Sequence, residues 1–210
     1  MDEDLKKNIM KTGTTILGIA CKDGVVMAGD NRASLGSTLV GGKDLQKVLL
    51  INDYLLVAIA GNASEAINAS KLLTAELKLK ELKSRKRPTI KEAATLLSNI
   101  QVQSSGFIVS GFDEDGKTPL YEIIGGLVTE IKDFTGSIGS GLMYVLGYLE
   151  RMWKPEVTVK EGVELAKESI KASMERDFGT GNGMNVFTIT KEGIKEVVRD
   201  KTELIHKKRE

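Results

Sequence analysis

Apolar positions along the chain alternate between strand-like runs and helix-like spacing. From Thr15, the run TILGIAC, the turn KDG at 22–24 and the run VVMAGD predict a β-hairpin, because short apolar runs are bounded by turn residues. A glycine-rich loop, LGSTLVGG at 35–42, comes next. KVLLI and YLLVAIAG then flank Asn52-Asp53 as a second hairpin, with the near-continuous hydrophobicity of strands covered on both faces. After Gly61 the period lengthens. NASEAINASKLLTAELKLKELKSR sets Ala66, Ile67, Leu72, Leu73, Leu77 and Leu82 among helix formers, with Asn62 or Ser64 placed to cap its start. Pro88-Thr89 opens a second helix, TIKEAATLLSNIQ. Strands return as GFIVSGF, LYEIIG and LVTEIKDF, two helices follow as GSGLMYVLGYLERMW and TVKEGVELAKESIKASMERD, and the hairpin NVFTIT-KEG-IKEVV closes the pattern.

The order is strands, two helices, strands, two helices, strands, which is not the strict βαβ alternation of a parallel sheet. Consecutive hairpins pair into antiparallel sheets, and strands apolar on both faces must be covered on both. Two sheets face to face, each with a helix pair outside, satisfy that requirement. The pattern therefore predicts an α+β protein, a four-layer α-β-β-α sandwich. No Pro/Ser-rich or polar stretch divides the 210 residues, so they read as one domain.

Composition narrows the chemistry. With 41% hydrophobic and 28% charged residues the chain can bury a substantial core, and a net charge of +1 argues against a dedicated nucleic-acid binder. The densest basic stretch, KSRKRP at 83–88, reads as a solvated helix end and loop. The single cysteine, Cys21, excludes an internal disulfide framework and falls in an apolar strand, which predicts a buried structural thiol. The single histidine, His206, lies in the charged tail IHKKRE, so neither a histidine-based triad nor a zinc site has its parts. The first segment, MDEDLKKNIMKTG, interleaves acids and bases without an apolar core and is no secretory signal. No run of about 18 apolar residues could span a bilayer. These features predict a cytoplasmic protein.

No P-loop, dinucleotide fingerprint or metal-ligand spacing occurs. Gly139-Ser140-Gly141 at a predicted helix start could offer N–H groups to an anion, or could simply be a tight turn. What remains is hydroxyl chemistry without histidine. GTTILGIACKDGVVMAGDNRAS at 13–34 resembles the start of a mature proteasome β subunit: a Gly-Thr cleavage point, a strand, a Lys-Asp-Gly turn, then a strand ending in an acid, one residue and arginine. The resemblance continues through DLQKVLLINDYLLVAIAGNASEA, ATLLSNI, GSIGSGLMYVLGYLE, TVKEGVELAKESI and RDFGTGNGMNVFTIT, nearly the whole chain after Gly13, and its undecorated form is similar to archaeal members. That family consists of N-terminal-nucleophile hydrolases with the four-layer sandwich, so it implies the same fold as the hydrophobic pattern.

The resemblance also implies how a hydroxyl could work here without a histidine. A threonine hydroxyl is a poor nucleophile until a base takes its proton, and an α-amino group, with a pKa of about 7.7–8.0, is a suitable base near neutrality where a backbone amide is not. Residues 1–13 would be a propeptide, cleaved autocatalytically between Gly13 and Thr14, and 14–210 the mature domain. Thr12 and Thr15 compete for the role. Counting back from KDG favours Thr14, and Thr15 points to the other face of the strand.

By the same resemblance Asp30 and Arg32 match the acid and the arginine after the second strand. Lys47 matches the active-site lysine, with Lys43 as a weaker alternative because the intervening loop is one residue longer than in the simplest relatives. Gly61 matches the residue whose N–H forms the oxyanion hole. Ser140, Asp177 and Thr180 match a group hydrogen-bonded around the Thr14 amine, although the family usually has serine where Thr180 stands. Ala33, Leu49, Ile59 and Ala63 would line the substrate pocket and favour cleavage after hydrophobic residues.

The implied function is a threonine-type endopeptidase that degrades unfolded polypeptide. Its implied partners are α subunits and other β subunits in stacked seven-membered rings, with a regulatory ATPase at the α rings. No cofactor, metal, nucleic acid or membrane is implied. Two alternatives stand beside it. One is a structural, unprocessed or weakly active β paralogue. The other is a bacterial HslV-type peptidase, which AGDNRASLGSTL also resembles, though that shorter chain lacks Arg32 and the RD…T group.

Overall fold

The structure is a computed structural model that describes residues 13–35 and 39–201; most of the predicted leader and the tail with His206 lie outside the described residues. Two five-stranded antiparallel sheets form its centre. The first contains β1 (Ile16–Cys21), β2 (Gly24–Asp30), β10 (Phe134–Thr135), β11 (Gly183–Thr190) and β12 (Gly193–Lys201), in the order β10-β1-β2-β11-β12. The second contains β5 (Val48–Asn52), β6 (Leu55–Gly61), β7 (Ser105–Gly111), β8 (Leu120–Ile124) and β9 (Leu127–Ile131), in sequence order. Helices α1 (Ala63–Ser84), α2 (Ile90–Asn99), α3 (Leu142–Met152) and α4 (Val159–Met174) complete the layers.

Strand alternation divides the interior into three cores. In β6, Leu55, Val57 and Ile59 join Leu73, Ile90 and Leu97 beneath α1 and α2, while Leu56, Ala58 and Ala60 join Val25, Met27 and Phe187 between the sheets. In the first sheet, Leu17, Ile19, Val26 and Ala28 turn the other way and pack on Val145, Leu149, Ala166 and Ile170 of α3 and α4. Three cores separate four layers, so the chain is the predicted α-β-β-α sandwich.

Local chemistry explains most boundaries. The side chain of Asn62, not that of Ser64, caps α1 by accepting the Glu65 N–H, and Thr89–Glu92 and Thr158–Glu161 form capping boxes at α2 and α4. The sequence pattern needs correction in four places. The expected strand LVTEIKDF is split, with Leu127–Ile131 as β9 in the second sheet and Phe134 opening β10 in the first. Part of the glycine-rich loop is a small hairpin, β3 (Ala33–Leu35) with β4 (Leu39–Gly42). The strand β5 lies at a sheet edge, and its Leu50 is 58% exposed where a strand covered on both faces was expected. The basic stretch 83–88 is not uniformly solvated: Arg85 ends α1 in the left-handed region, but the Arg87 guanidinium lies 3.7 Å from the Tyr54 ring centroid and 4.7 Å from that of Phe112.

Cys21 is half-buried, less enclosed than predicted, with Sγ 3.7 Å from the Ile19 carbonyl oxygen. Burial, then Asp23 and Glu161, push its thiol up to about 12, so it stays protonated and unreactive near neutrality. It lines an open cleft of about 1030 Å³ with Asp23, Thr190 and Lys191. That cleft lies at the turn end of the β1–β2 hairpin, away from Thr14 and Asp30.

Candidate active site

The candidate residues gather where β1 begins and β2 ends. Asp30, the last residue of β2, is fully buried and its carboxylate is saturated with donors. Its Oδ1 accepts from Lys47 Nζ at 2.5 Å and from the Thr15 N–H at 2.8 Å; its Oδ2 accepts from the Arg32 N–H and the Gly181 N–H, both at 3.0 Å. Four such bonds replace the water that burial takes from the carboxylate.

Lys47 stands just before β5 in the opposite sheet and is only 2% exposed, whereas Lys43 is exposed on the surface. Its carbonyl accepts the Ile59 N–H at 2.8 Å, and Gly29 leaves the room its Cβ occupies. Burial pushes the Lys47 ammonium below the usual lysine range, and Asp30 opposes the shift. The ion pair thus joins the two sheets, one residue from Thr14.

Thr14 is itself buried, and its hydroxyl donates to the Gly13 carbonyl oxygen at 2.6 Å. Its N–H donates to Ser140 Oγ at 3.1 Å. Ser140 in turn donates to Asp177 Oδ2 at 2.5 Å, and the Thr180 hydroxyl donates to the same oxygen. Each hydroxyl has one proton, and Asp177 takes both. Ser140 is therefore left as acceptor toward Thr14, and in the 2.6 Å Thr15–Thr180 hydroxyl pair Thr15 must donate.

Thr180 joins this group through Asp177 and also bonds the Thr15 hydroxyl, while among the described residues only Ser140 bonds the Thr14 nitrogen. The extra methyl at Thr180 therefore need not disturb the nitrogen.

Gly139-Ser140-Gly141 serves this arrangement as well. The Gly141 N–H donates to the Thr14 carbonyl at 3.3 Å, so it is engaged by the chain and not free for an anion. A side chain at Gly139 would overlap the Thr14 carbonyl, and one at Gly141 the Thr15 hydroxyl. The sequence signal Gly-Ser-Gly is thus a close backbone approach.

Gly61 ends β6 with φ +93°, a conformation that favours glycine, and lies opposite Ser105 in β7. The turn after it is clipped from both sides. The Asn62 N–H donates to the Ser104 carbonyl at 2.9 Å, and Glu65 accepts from the Gln103 and Ser104 N–H groups and the Ser105 hydroxyl. These donors outweigh partial desolvation and hold the Glu65 carboxyl below its usual range.

Of the expected pocket residues, Ala33 in β3 and Ala63 at the start of α1 are half-buried. Leu49 and Ile59 belong to the helix-facing core, where Ile59 is closed to solvent. Among the described residues no cluster of His, Cys, Asp and Glu is placed to hold a metal ion, and no helix is long and apolar enough to cross a membrane.

Sequence reasoning missed Ser34 and the task of Arg32. Ser34 Oγ accepts the Gly13 N–H at 2.7 Å. Arg32 locks the 177–182 loop, donating through Nη1 to the Phe178 carbonyl at 2.6 Å and through Nε to Asn182 at 2.8 Å. Nothing in the sequence links Arg32 to the 177–182 segment, 150 positions from its partner Asn182, and Ser34 carried no signal.

Comparison with known proteins gives consistent matches. A family model described as "Proteasome subunit" matches residues 10–189. A "Proteasome subunit beta 1" of Thermococcus onnurineus is 42% identical over 93% of this chain and 97% of its own length. A "Proteasome subunit beta" of Nanoarchaeum equitans is 38% identical over 88% and 96%, and a "Proteasome subunit beta 2" of Pyrococcus abyssi 36% identical over 92% and 94%.

Proposed function

The chain belongs to the proteasome subunit family, with archaeal β subunits among its relatives, and on that premise we propose that it is an active threonine-type endopeptidase subunit of a proteasome core particle. In this reading residues 1–13 are removed autocatalytically, Thr14 becomes the N-terminal residue of a mature domain 14–210, and its hydroxyl attacks peptide bonds of unfolded protein. The observation that carries the proposal is the Thr14 hydroxyl lying against the Gly13 carbonyl, with its nitrogen on Ser140 and the Asp30–Lys47 pair bonded to the next residue, Thr15.

Each group then has a physical task. The freed amine donates one N–H to Ser140, whose own proton is held by Asp177, so its lone pair is left to take the hydroxyl proton. The Lys47 ammonium stabilises the oxyanion character of Thr14, and Asp30 holds the ammonium in place. The Gly61 N–H would bind the oxygen of the tetrahedral intermediate. Ala33, Leu49 and Ala63, all half-buried, would line an apolar pocket with the buried Ile59 as its closed floor, favouring hydrophobic residues on the acyl side. The partners are proteasome α subunits and further β subunits in stacked rings, with a regulatory ATPase admitting substrate in the cytoplasm.

The deciding experiment is co-expression with an archaeal proteasome α subunit, followed by intact mass and hydrolysis of a fluorogenic peptide with a hydrophobic acyl-side residue. Loss of residues 1–13 together with hydrolysis is expected. A leader retained in assembled particles would instead identify a structural subunit.

Two variants probe the chemistry separately. Gly13→Ala should stall leader removal, because a Cβ there would overlap the Gly179 backbone and stand 2.6 Å from Ser34 Oγ; full-length mass should persist after wild type has been processed. Gly61→Ala should lower kcat by about 10²–10³-fold, since a residue with Cβ at φ +93° rotates the oxyanion donor, while Tm changes far less than activity.

A further inference from the structure

The Gly13–Thr14 peptide is held on both flanks by serine hydroxyls. Ser34 accepts the N–H of Gly13 at 2.7 Å and Ser140 accepts that of Thr14 at 3.1 Å. Between these two anchors lies the carbonyl that the Thr14 hydroxyl touches. The Thr14 anchor is part of the site already described; the Gly13 anchor is not. Ser34 sits in β3 where the pairing with β4 slips: Ala33 faces Gly42, but Ser34 faces Val40. Such a slip is a way to re-aim a side chain. A Cβ at Gly13 would meet both the Gly179 backbone and Ser34 Oγ, so Ser34 and Gly179 together leave room only for a residue without a side chain.

Resting on the reading that Thr14 is freed by self-cleavage, we propose that Ser34 is a positioning residue for leader removal and not for peptide hydrolysis by the mature enzyme. In that cleavage Thr14 Oγ1 adds to the Gly13 carbonyl carbon, the Gly13–Thr14 C–N bond breaks, and the hydroxyl proton ends on the departing Thr14 nitrogen. The resulting ester is hydrolysed by water to the Gly13 carboxylate and the free hydroxyl. The addition needs the carbonyl carbon held still relative to a hydroxyl on the next residue, and bond rotation on the leader side of Gly13 would spoil it. The Ser34 bond removes that freedom. After cleavage Gly13 departs with the leader, so the Ser34 hydroxyl loses the partner that gave it this task.

The test uses the full chain assembled with an archaeal α subunit. Leader loss is followed by intact mass over time, and peptide hydrolysis is measured per processed subunit once processing is complete. Ser34→Ala should process about five- to tenfold more slowly, the scale of one hydrogen bond, with kcat and KM of the processed subunit as in wild type. Ser34→Thr should process at nearly the wild-type rate and Ser34→Val as slowly as Ser34→Ala; these two share their shape and differ in the hydroxyl, so they decide the question even if the alanine variant fails to assemble. Equal processing by the threonine and valine variants would overturn the proposal. So would a slow variant whose processed subunits are equally impaired in hydrolysis, since that marks a general defect of the site. Wild-type chains that never lose residues 1–13 would instead remove the underlying functional reading.

Discussion

Thr14→Ala is expected to retain residues 1–13 in every assembled subunit and to lower peptide hydrolysis by at least about 10⁴-fold, to background. The size of the effect follows from the protons around Thr14. Three other hydroxyls lie in the network around Asp177, each committed as a donor within it, while the Ser34 hydroxyl is held against the Gly13 N–H. The Ser140 and Thr180 hydroxyls donate to Asp177, and the Thr15 hydroxyl donates to Thr180 on the far face of β1. Among the described residues only the Thr14 hydroxyl is bonded to the Gly13 carbonyl. On the proposed reading its removal takes away the nucleophile for both reactions, and a retained leader keeps the nitrogen acylated. The measurement is intact mass and fluorogenic peptide hydrolysis in particles that hold no other β subunit. Residual β-dependent cleavage in those particles would refute the assignment of Thr14.

Lys47→Met is expected to lower activity by on the order of 10²–10³-fold and stability by about 3 kcal/mol. Both partners of the pair are essentially closed to water, so deleting the cation leaves the Asp30 carboxylate without its only charged donor. Breaking a buried pair ordinarily costs about 3–5 kcal/mol. The lower end applies, because three backbone N–H groups, from Thr15, Arg32 and Gly181, still bond the carboxylate. The variant should therefore fold with a reduced Tm and remain in the ring, while hydrolysis falls further than stability alone would account for. Retention of wild-type hydrolysis would exclude Lys47 from the chemistry. Lys43→Met, at an exposed position, should change neither quantity.

The fold was legible because its turns are chemically marked. Lys22-Asp23-Gly24, Asn52-Asp53 and Lys191-Glu192-Gly193 each sit between apolar runs, and each closes a hairpin in the structure. The long helices announced themselves through Asn62, Thr89 and Thr158 and the apolar spacing that follows. The two-residue strand β10 and the β3–β4 hairpin were not legible, because so few residues carry no period and owe their pairing to neighbouring strands.

The site divides in the same way. Asp30, Lys47, Ser140 and Asp177 came from resemblance, not from any local pattern, since a lysine before a strand is by itself an ordinary surface residue. The Thr15–Thr180 pair spans 165 positions and the Arg32–Asn182 bond 150, and no periodicity reports which loops will meet. Ser34 was hidden for a related reason: the slip in β3 that aims it is set by Val40 and Gly42 across the hairpin.

The four donors on Asp30 also set an order of events. They come from the entry to β1, the exit of β2, the approach to β5 and the loop before β11, segments that converge only once one sheet has stacked on the other. A partly folded chain has the same threonine and the same peptide bond but no fixed lysine beside them. If the proposed self-cleavage takes place, folding is its trigger, and an irreversible cut waits for a reversible assembly of sheets.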